Sequence, residues 1–483
     1  MPRKGTLKSK KTREWPLGAW LSVIGLGSAV TVMGSTIINA ALPSIADNLN
    51  ASVTQVQWTS TAYLLGLMAA LPISGWATDR FGARRVWEIG LWSFFAASVF
   101  CALSPTAATL VGFRALQGVS GGLVLPVGQT ILVRRAPAHQ LTSVLAGLGA
   151  INLSGPALGP LLGGMVVDHF TWRWIFAACA PVAVLAVVCS RVVLPQFDGH
   201  DRRPFDAVGA AMLTAGVVLV VFGLNAWVGQ DIGIPSLTAA AITTAGIGLI
   251  MWYLKHAGWL GSRSLIDLRR LRSTEFCLAS TLSLLFGALM FGMLFVLPLA
   301  ASSLLDTSGS IAGASVVPQA AGCLITLVLL WLRRGRIPLG VVPAGMVLVV
   351  LGTLPFVLTD TPASGWTTAG LVIRGIGLSA VFTPATAAAY RAVGPQGAAS
   401  ASTVVNLCLR IGGALGTALS AALLQRGLGE AGMASVDNPS LGAKDALLRE
   451  VQQSAFHDVF LGLTVVAALA LIPAVYLWRV AKQ

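Results

Sequence analysis

Fourteen apolar runs of 18 or more residues set the limits on what this chain can fold into: 17–42, 53–77, 86–104, 107–133, 140–167, 173–194, 206–228, 236–256, 274–301, 311–332, 337–358, 366–390, 397–425 and 455–478. About 20 apolar residues of helix cross a bilayer core. Only helices and closed barrels can span it, because backbone polar groups find no water there. The runs are continuous rather than alternating, which selects helices over a barrel. Only 10% of the 483 residues are charged, against about a quarter in soluble domains. A cytosolic enzyme, a secreted disulfide scaffold and a disordered chain are thereby excluded. The expectation is an all-α polytopic membrane protein with no cleavable leader: a basic head runs directly into an apolar stretch too long for a signal core.

Lysine and arginine orient the spans. Alternate connections, together with both termini, hold 25 of the 32 basic residues, and the other set of connections holds four: Arg173, Arg426, Lys444 and Arg449. This split predicts a cytoplasmic membrane protein with both termini inside, a parity that fourteen spans satisfy. The net charge of +14 then reads as a topology signal with attraction to anionic lipid, and nucleic acid is not an expected partner. Six cysteines fall within apolar runs and read as buried free thiols.

Two pieces recur at one offset. Gln117-Gly118-Val119 through Pro126 resembles Arg374-Gly375-Ile376 through Pro384, and Gly155-Pro156-Ala157-Leu158-Gly159 resembles Gly412-Gly413-Ala414-Leu415-Gly416. Both offsets are 257 residues. The organisation expected is a basic segment 1–16, a six-helix half 17–194, two inserted helices within 195–272, a second six-helix half 273–478 and a tail 479–483. Internal symmetry of this kind places a binding site between the halves, near the midplane.

The most specific stretch is Gly75-Trp76-Ala77-Thr78-Asp79-Arg80-Phe81-Gly82-Ala83-Arg84-Arg85. Gly75 permits close helix contact, Asp79 can cap a helix or pair with a basic residue, and Gly82 suits a tight turn. Such a charge cluster at a helix seam can latch one conformation. In the run 140–167, Gly155, Gly159 and Gly163 repeat every four residues and make a smooth face. Pro156 and Pro160 should bend the helix there.

The Gly75–Arg84 stretch resembles the cytoplasmic loop signature of the major facilitator superfamily, G-x-x-x-D-R-x-G-x-R. Arg114-Ala115-Leu116-Gln117-Gly118 resembles its fourth-helix motif, and Ser154 through Gly164 the fifth-helix signature of its exporters. Trp172-Arg173-Trp174-Ile175-Phe176 and Asn39-Ala40-Ala41-Leu42-Pro43 are similar to the 14-helix drug:proton antiporter branch. The resemblance implies two six-helix halves around a cavity plus two further helices, and proton-driven export of small amphipathic compounds by alternating access. A transporter of lipid or an endogenous metabolite, and an uncoupled facilitator, are the alternatives.

The chain departs from that pattern in its buried charges. The antiporter branch usually carries an acidic residue before Ser-Thr-Ile, and here that position is Gly34; Cys179 stands where the family has Asn. No Asp or Glu falls deep in any run, whereas Arg114, Arg374 and Arg410 do, Arg410 lying deepest by its place in its run. An arginine at a helix centre costs about 2.5–3.5 kcal/mol on insertion scales, so each should face a wet cavity or a partner. Asn39, Tyr63, Arg114, Gln117, Arg374, Asn406 and Arg410 are the candidate substrate or proton-binding residues. Gly75, Asp79, Arg80, Gly82 and Arg84 are the candidate latch, and Gly155, Pro156, Gly159, Pro160 and Gly163 the bend motif. Arginines without carboxylates should favour anionic or neutral amphiphiles over lipophilic cations; the competing reading is that each arginine hydrogen-bonds backbone carbonyls. Five scattered histidines and the absence of a P-loop motif point away from an enzyme. No cofactor or metal is expected, and a monomer is.

Overall fold

A computed structural model describes residues 15–196, 204–228, 234–269, 271–305, 314–333, 337–359, 364–434 and 441–482. Side chains at 36, 39–40, 53–54, 154–162, 164, 168, 305, 429–434 and 441–450 lie outside that description. The basic segment 1–14 falls outside it as well.

The first half contains α1 (Leu17–Thr36), a short α2 (Leu42–Asn48), α3 (Val53–Phe81), α4 (Ala83–Ala102), α5 (Ala107–Arg135), α6 (Leu141–His169) and α7 (Arg173–Val193). The inserted pair is α8 (Ala207–Val228) and α9 (Ser236–Leu260). The second half contains α10 (Thr274–Leu305), α11 (Val317–Leu332), α12 (Val341–Leu358), the run Gly365–Ala434 and α15 (Leu441–Val480). Gly394, at φ 66°, divides that run into α13 (365–393) and α14 (395–434). Among the described residues this makes fourteen long helices, one for each apolar run. Ten helical runs, with Gly365–Leu428 taken as one, are long and apolar enough to cross a bilayer by themselves.

Three departures from the sequence reading have local causes. The first run does not end at 42: α1 gives way to a 3-10 turn over Ile37–Ala41, and Pro43 then starts α2 in its first turn, where a missing N–H costs nothing. The expected loop after α3 shrinks to Gly82, which takes φ 88°, so Asp79 and Arg80 ride on the last turn of α3. The connection expected between 390 and 397 shrinks in the same way to the kink at Gly394. Both turns use a conformation that glycine adopts without strain. Of the cysteines, Cys277 is exposed, so the reading of six buried thiols fails there.

Glycines let helices within each half cross at backbone contact. A Cβ at Gly66 would run into the Ala115 carbonyl, and one at Gly118 into that of Tyr63. In the second half, a Cβ at Gly322 would run into the Val372 carbonyl, and one at Gly375 into that of Gln319. The α3/α5 crossing and the α11/α13 crossing are therefore one interface built twice: Gly118 and Gly375 stand at the 257-residue offset of the sequence repeat, and Gly66 and Gly322 one residue short of it. The inserted pair packs through Gly216, Gly223 and Gly246. Of this pair, α8 packs against α3 and the 365–434 run, and Thr214 donates to the Ala69 carbonyl (3.3 Å).

Candidate functional site

Arg114 and Arg374 are both fully buried, and each ties together the early helices of its own half. Arg114 Nε donates to the Thr59 carbonyl of α3 (3.1 Å). Its Nη1 donates to the Gly34 carbonyl of α1 (2.9 Å) and to Gln117 Oε1 (2.5 Å). Gln117 then donates to Ser98 Oγ of α4 (2.8 Å). Nη2 has no hydrogen-bond partner among the described residues, and the guanidinium carbon lies 4.4 Å from the centre of the Tyr63 ring, a cation–π contact. Arg374 donates to Gln319 Oε1 of α11, to Thr353 Oγ1 of α12 (3.3 Å) and to the Leu289 carbonyl of α10 (2.6 Å). Neither guanidinium meets a carboxylate among the described residues. The geometry thus favours the carbonyl-bonding reading for Arg114 and Arg374.

Arg410 differs from both. It is partly exposed where the other two are fully buried. It makes no hydrogen bond or ion pair among the described residues, and it stands within electrostatic reach of Tyr63 in the other half. Tyr63 itself is buried and donates its hydroxyl to the Thr31 carbonyl of α1 (2.7 Å). Asn39 lies in the 3-10 turn Ile37–Ala41, its side chain outside the described residues.

Asn406 joins neither arginine. Its Nδ2 donates to Gln129 Oε1 of α5 (2.8 Å), and it belongs to a seam between the halves. The Gln129 oxygen also accepts from Tyr390 (3.1 Å). The Ser402 hydroxyl lies 2.9 Å from the Pro126 carbonyl and 3.1 Å from Gln129 Oε1. Ser74 and Thr403 hydroxyls meet at 3.2 Å, and Ser143 donates to the Trp331 carbonyl (2.8 Å). A side chain at Gly75 would press on Thr403 and on the Ala399 carbonyl. All these contacts lie at the end of the bundle that carries Arg84, Arg134 and Arg333. At the opposite end, one apolar cluster, from Ile37 to Phe176, belongs wholly to the first half. Another, from Met293 to Leu463, belongs wholly to the second. Among the described residues, the hydrogen bonds between the halves thus lie at the arginine-bearing end. Gln129 and Tyr390 were absent from the candidates read in sequence.

The Gly75–Arg84 stretch is held by charge. Arg134 Nη2 donates to Asp79 Oδ1 (2.7 Å), joining α5 to α3. Arg84 bonds Glu88 (2.8 Å) and the Leu194 carbonyl (2.7 Å), and Arg80 points outward. Around the bend motif, the backbone of α6 is helical throughout and Gly163 is buried; the side chains of Pro156 and Pro160, with Gly155 and Gly159, fall outside the described residues. No group of three metal-ligating side chains occurs among the described residues.

Comparison with known proteins agrees with this architecture. The sequence profile of the Major Facilitator Superfamily matches residues 24–417. The chain is 29% identical over 435 residues to the multidrug resistance protein B homolog of Mycobacterium tuberculosis, covering 88% of this chain and 79% of that protein. It is 32% identical over 303 residues to the putative multidrug resistance protein MdtD of Enterobacter sp., covering 62% and 63%. The structure of the human organic anion transporter MFSD10 superposes with a TM-score of 0.61 at 18% identity, over 95% of this chain and all of that one. The proton:xylose symporter XylE superposes at 0.63 with 15% identity, over 96% and 95%. These two structures speak for the fold alone. With its repeated helix crossings, its inserted pair and a profile match over most of its length, the chain belongs to the major facilitator superfamily of membrane transporters, not to a family of enzymes.

Proposed function

We propose that this protein exports small amphipathic compounds across the cytoplasmic membrane by alternating access, with both termini and the arginine-bearing end inside. One observation carries this reading: among the described residues the two halves are joined by hydroxyl and amide contacts at one end, while the apolar clusters described at the other end each belong to a single half. A bundle closed on one side and parted on the other is the arrangement that alternate exposure of a central site requires. The names of the multidrug-resistance relatives support export of drug-like molecules. The surplus of lysine and arginine at the closed end supports its cytoplasmic placement.

The family resemblance supplies a proton gradient as the driving force. The uncoupled alternative is favoured by Gly34, which gives α1 no carboxylate beside Arg114. One experiment addresses both readings: a pump-deficient bacterial host expressing the chain is challenged with neutral, acidic and cationic amphiphiles, with and without a protonophore. Raised resistance to neutral or acidic compounds that the protonophore abolishes is the expected outcome. Raised resistance that ignores the protonophore selects the uncoupled reading, and no change in resistance to any compound rejects export.

A further inference from the structure

One charged side chain has work still unassigned. On α14 the residues that meet the first half recur at helical spacing: Ala399, Ser402, Thr403 and Asn406. Residues three and four apart share a helix face, so Arg410, one turn beyond Asn406, continues that face. At this turn no first-half acceptor among the described residues meets it. Arg410 makes no hydrogen bond or ion pair among the described residues, is partly exposed, and has Tyr63 of the first half within electrostatic reach. Arg410 therefore stands one turn past the seam.

Arg114 and Arg374 show what this fold does with an arginine that is structural: it buries the group and supplies carbonyl and amide acceptors from neighbouring helices. Among the described residues Arg410 has no such acceptors. An intramembrane cation is retained when it faces a partner or an aqueous cavity, and a guanidinium offers a planar fork of donors suited to an oxyanion. No carboxylate of the described residues supplies one.

We propose that Arg410 is the recognition point for an anionic group, a carboxylate or sulfonate, carried by an amphipathic substrate. This rests on the export reading and narrows it: the substrate places its negative end on Arg410 and its apolar body between the halves. A lipid phosphate has the same chemistry, so the test separates the two sources.

Purified full-length protein in phosphatidylcholine nanodiscs is assayed for saturable binding of radiolabelled naphthaleneacetate and of its cationic counterpart, (naphthylmethyl)trimethylammonium. The wild type is expected to bind the carboxylate more tightly than the cation. Arg410→Gln is expected to lose about tenfold or more in carboxylate affinity, the scale of one charge-assisted hydrogen bond, with an unchanged melting temperature. Arg410→Lys, which keeps the charge, is expected to recover most of that loss. Repeating the assay with phosphatidylglycerol in the disc identifies the source. Undiminished carboxylate binding assigns the site to substrate, and displacement by the lipid assigns it to a headgroup; either outcome supports an oxyanion at Arg410. Three results overturn the proposal: no saturable carboxylate binding, tighter cation binding, or equal carboxylate affinity in Arg410→Gln. The binding assay needs no transport, so it can succeed where the resistance panel fails, and the reverse.

Discussion

Arg114 and Arg374 resolve a conflict that membrane insertion creates, and their neighbours show how. Each charge is fully buried, and each is met by carbonyl, amide or hydroxyl oxygens from three helices of its own half. The partners differ because the repeat aligns Arg374 with Gln117, three residues beyond Arg114: Tyr63 covers Arg114 with its ring, whereas Gln319 gives Arg374 an oxygen. The adjoining glycines are under the same pressure. At Gly118 and at Gly375 an added Cβ would strike a carbonyl of the neighbouring helix, whereas at Gly112 nothing lies within 4 Å. Gly118→Ala and Gly375→Ala should each cost about 1–3 kcal/mol, the usual scale for overpacking. Gly112→Ala should be neutral or slightly stabilising, since alanine favours helix over glycine. Melting temperatures of the three purified variants check this; equal values would remove the claim of backbone contact at the repeat.

Elements meet through two kinds of contact, and the sequence exposes them unequally. The runs, the repeat at 257 residues and the glycine turn at Gly82 were all legible, because apolar length, recurrence and positive φ leave marks on neighbouring residues. Gln129 left no such mark. It is a single amide in an apolar run, and its partners Tyr390 and Asn406 lie 261 and 277 residues further on. Only the four-residue spacing of Ser402 and Asn406 hinted at a polar stripe. Replacing Gln129 by leucine leaves the Tyr390 hydroxyl and one Asn406 N–H facing an apolar group, while Ser402 keeps the Pro126 carbonyl, at about 1–3 kcal/mol for each donor left unsatisfied. That is enough to shift a two-state equilibrium tenfold or more. Gln129→Leu should therefore raise amide hydrogen exchange over 395–406, and Gln129→Glu, which keeps the acceptor, should not. The Asp79–Arg134 pair works within the first half, its side chains only 12% and 17% exposed. Asp79→Ala leaves Arg134 without that partner. Transport should fall several-fold with protein abundance near normal, and the double exchange Asp79→Arg with Arg134→Asp should restore part of it. Full activity in Asp79→Ala would end the latch assignment.

At the scale of the whole molecule, the proposed alternating access with the seam closed implies that the space around Arg410 is reached from the end opposite the arginines. Accessibility of position 410 should then depend on the seam, although the two are contributed by different turns and partly by different halves. Arg410→Cys offers a direct reading, because in the wild type three of the cysteines are buried and two are partly so, while the exposed Cys277 can be removed as background. With the proposed orientation, a membrane-impermeant cationic thiol reagent applied to intact cells should modify the cysteine at 410, and the same reagent applied to inside-out vesicles should not. Adding Gln129→Leu weakens the contacts that close the arginine-bearing end. Labelling from the vesicle side should then appear, while labelling from outside declines as the closed-inside population falls. Coupling of this sign follows from two rigid halves that rock as units, since a local defect at Gln129 could loosen one end without lowering access at the other. Labelling from both sides in the Gln129 wild type would contradict the closed end, and a Gln129→Leu effect confined to one side would contradict rocking.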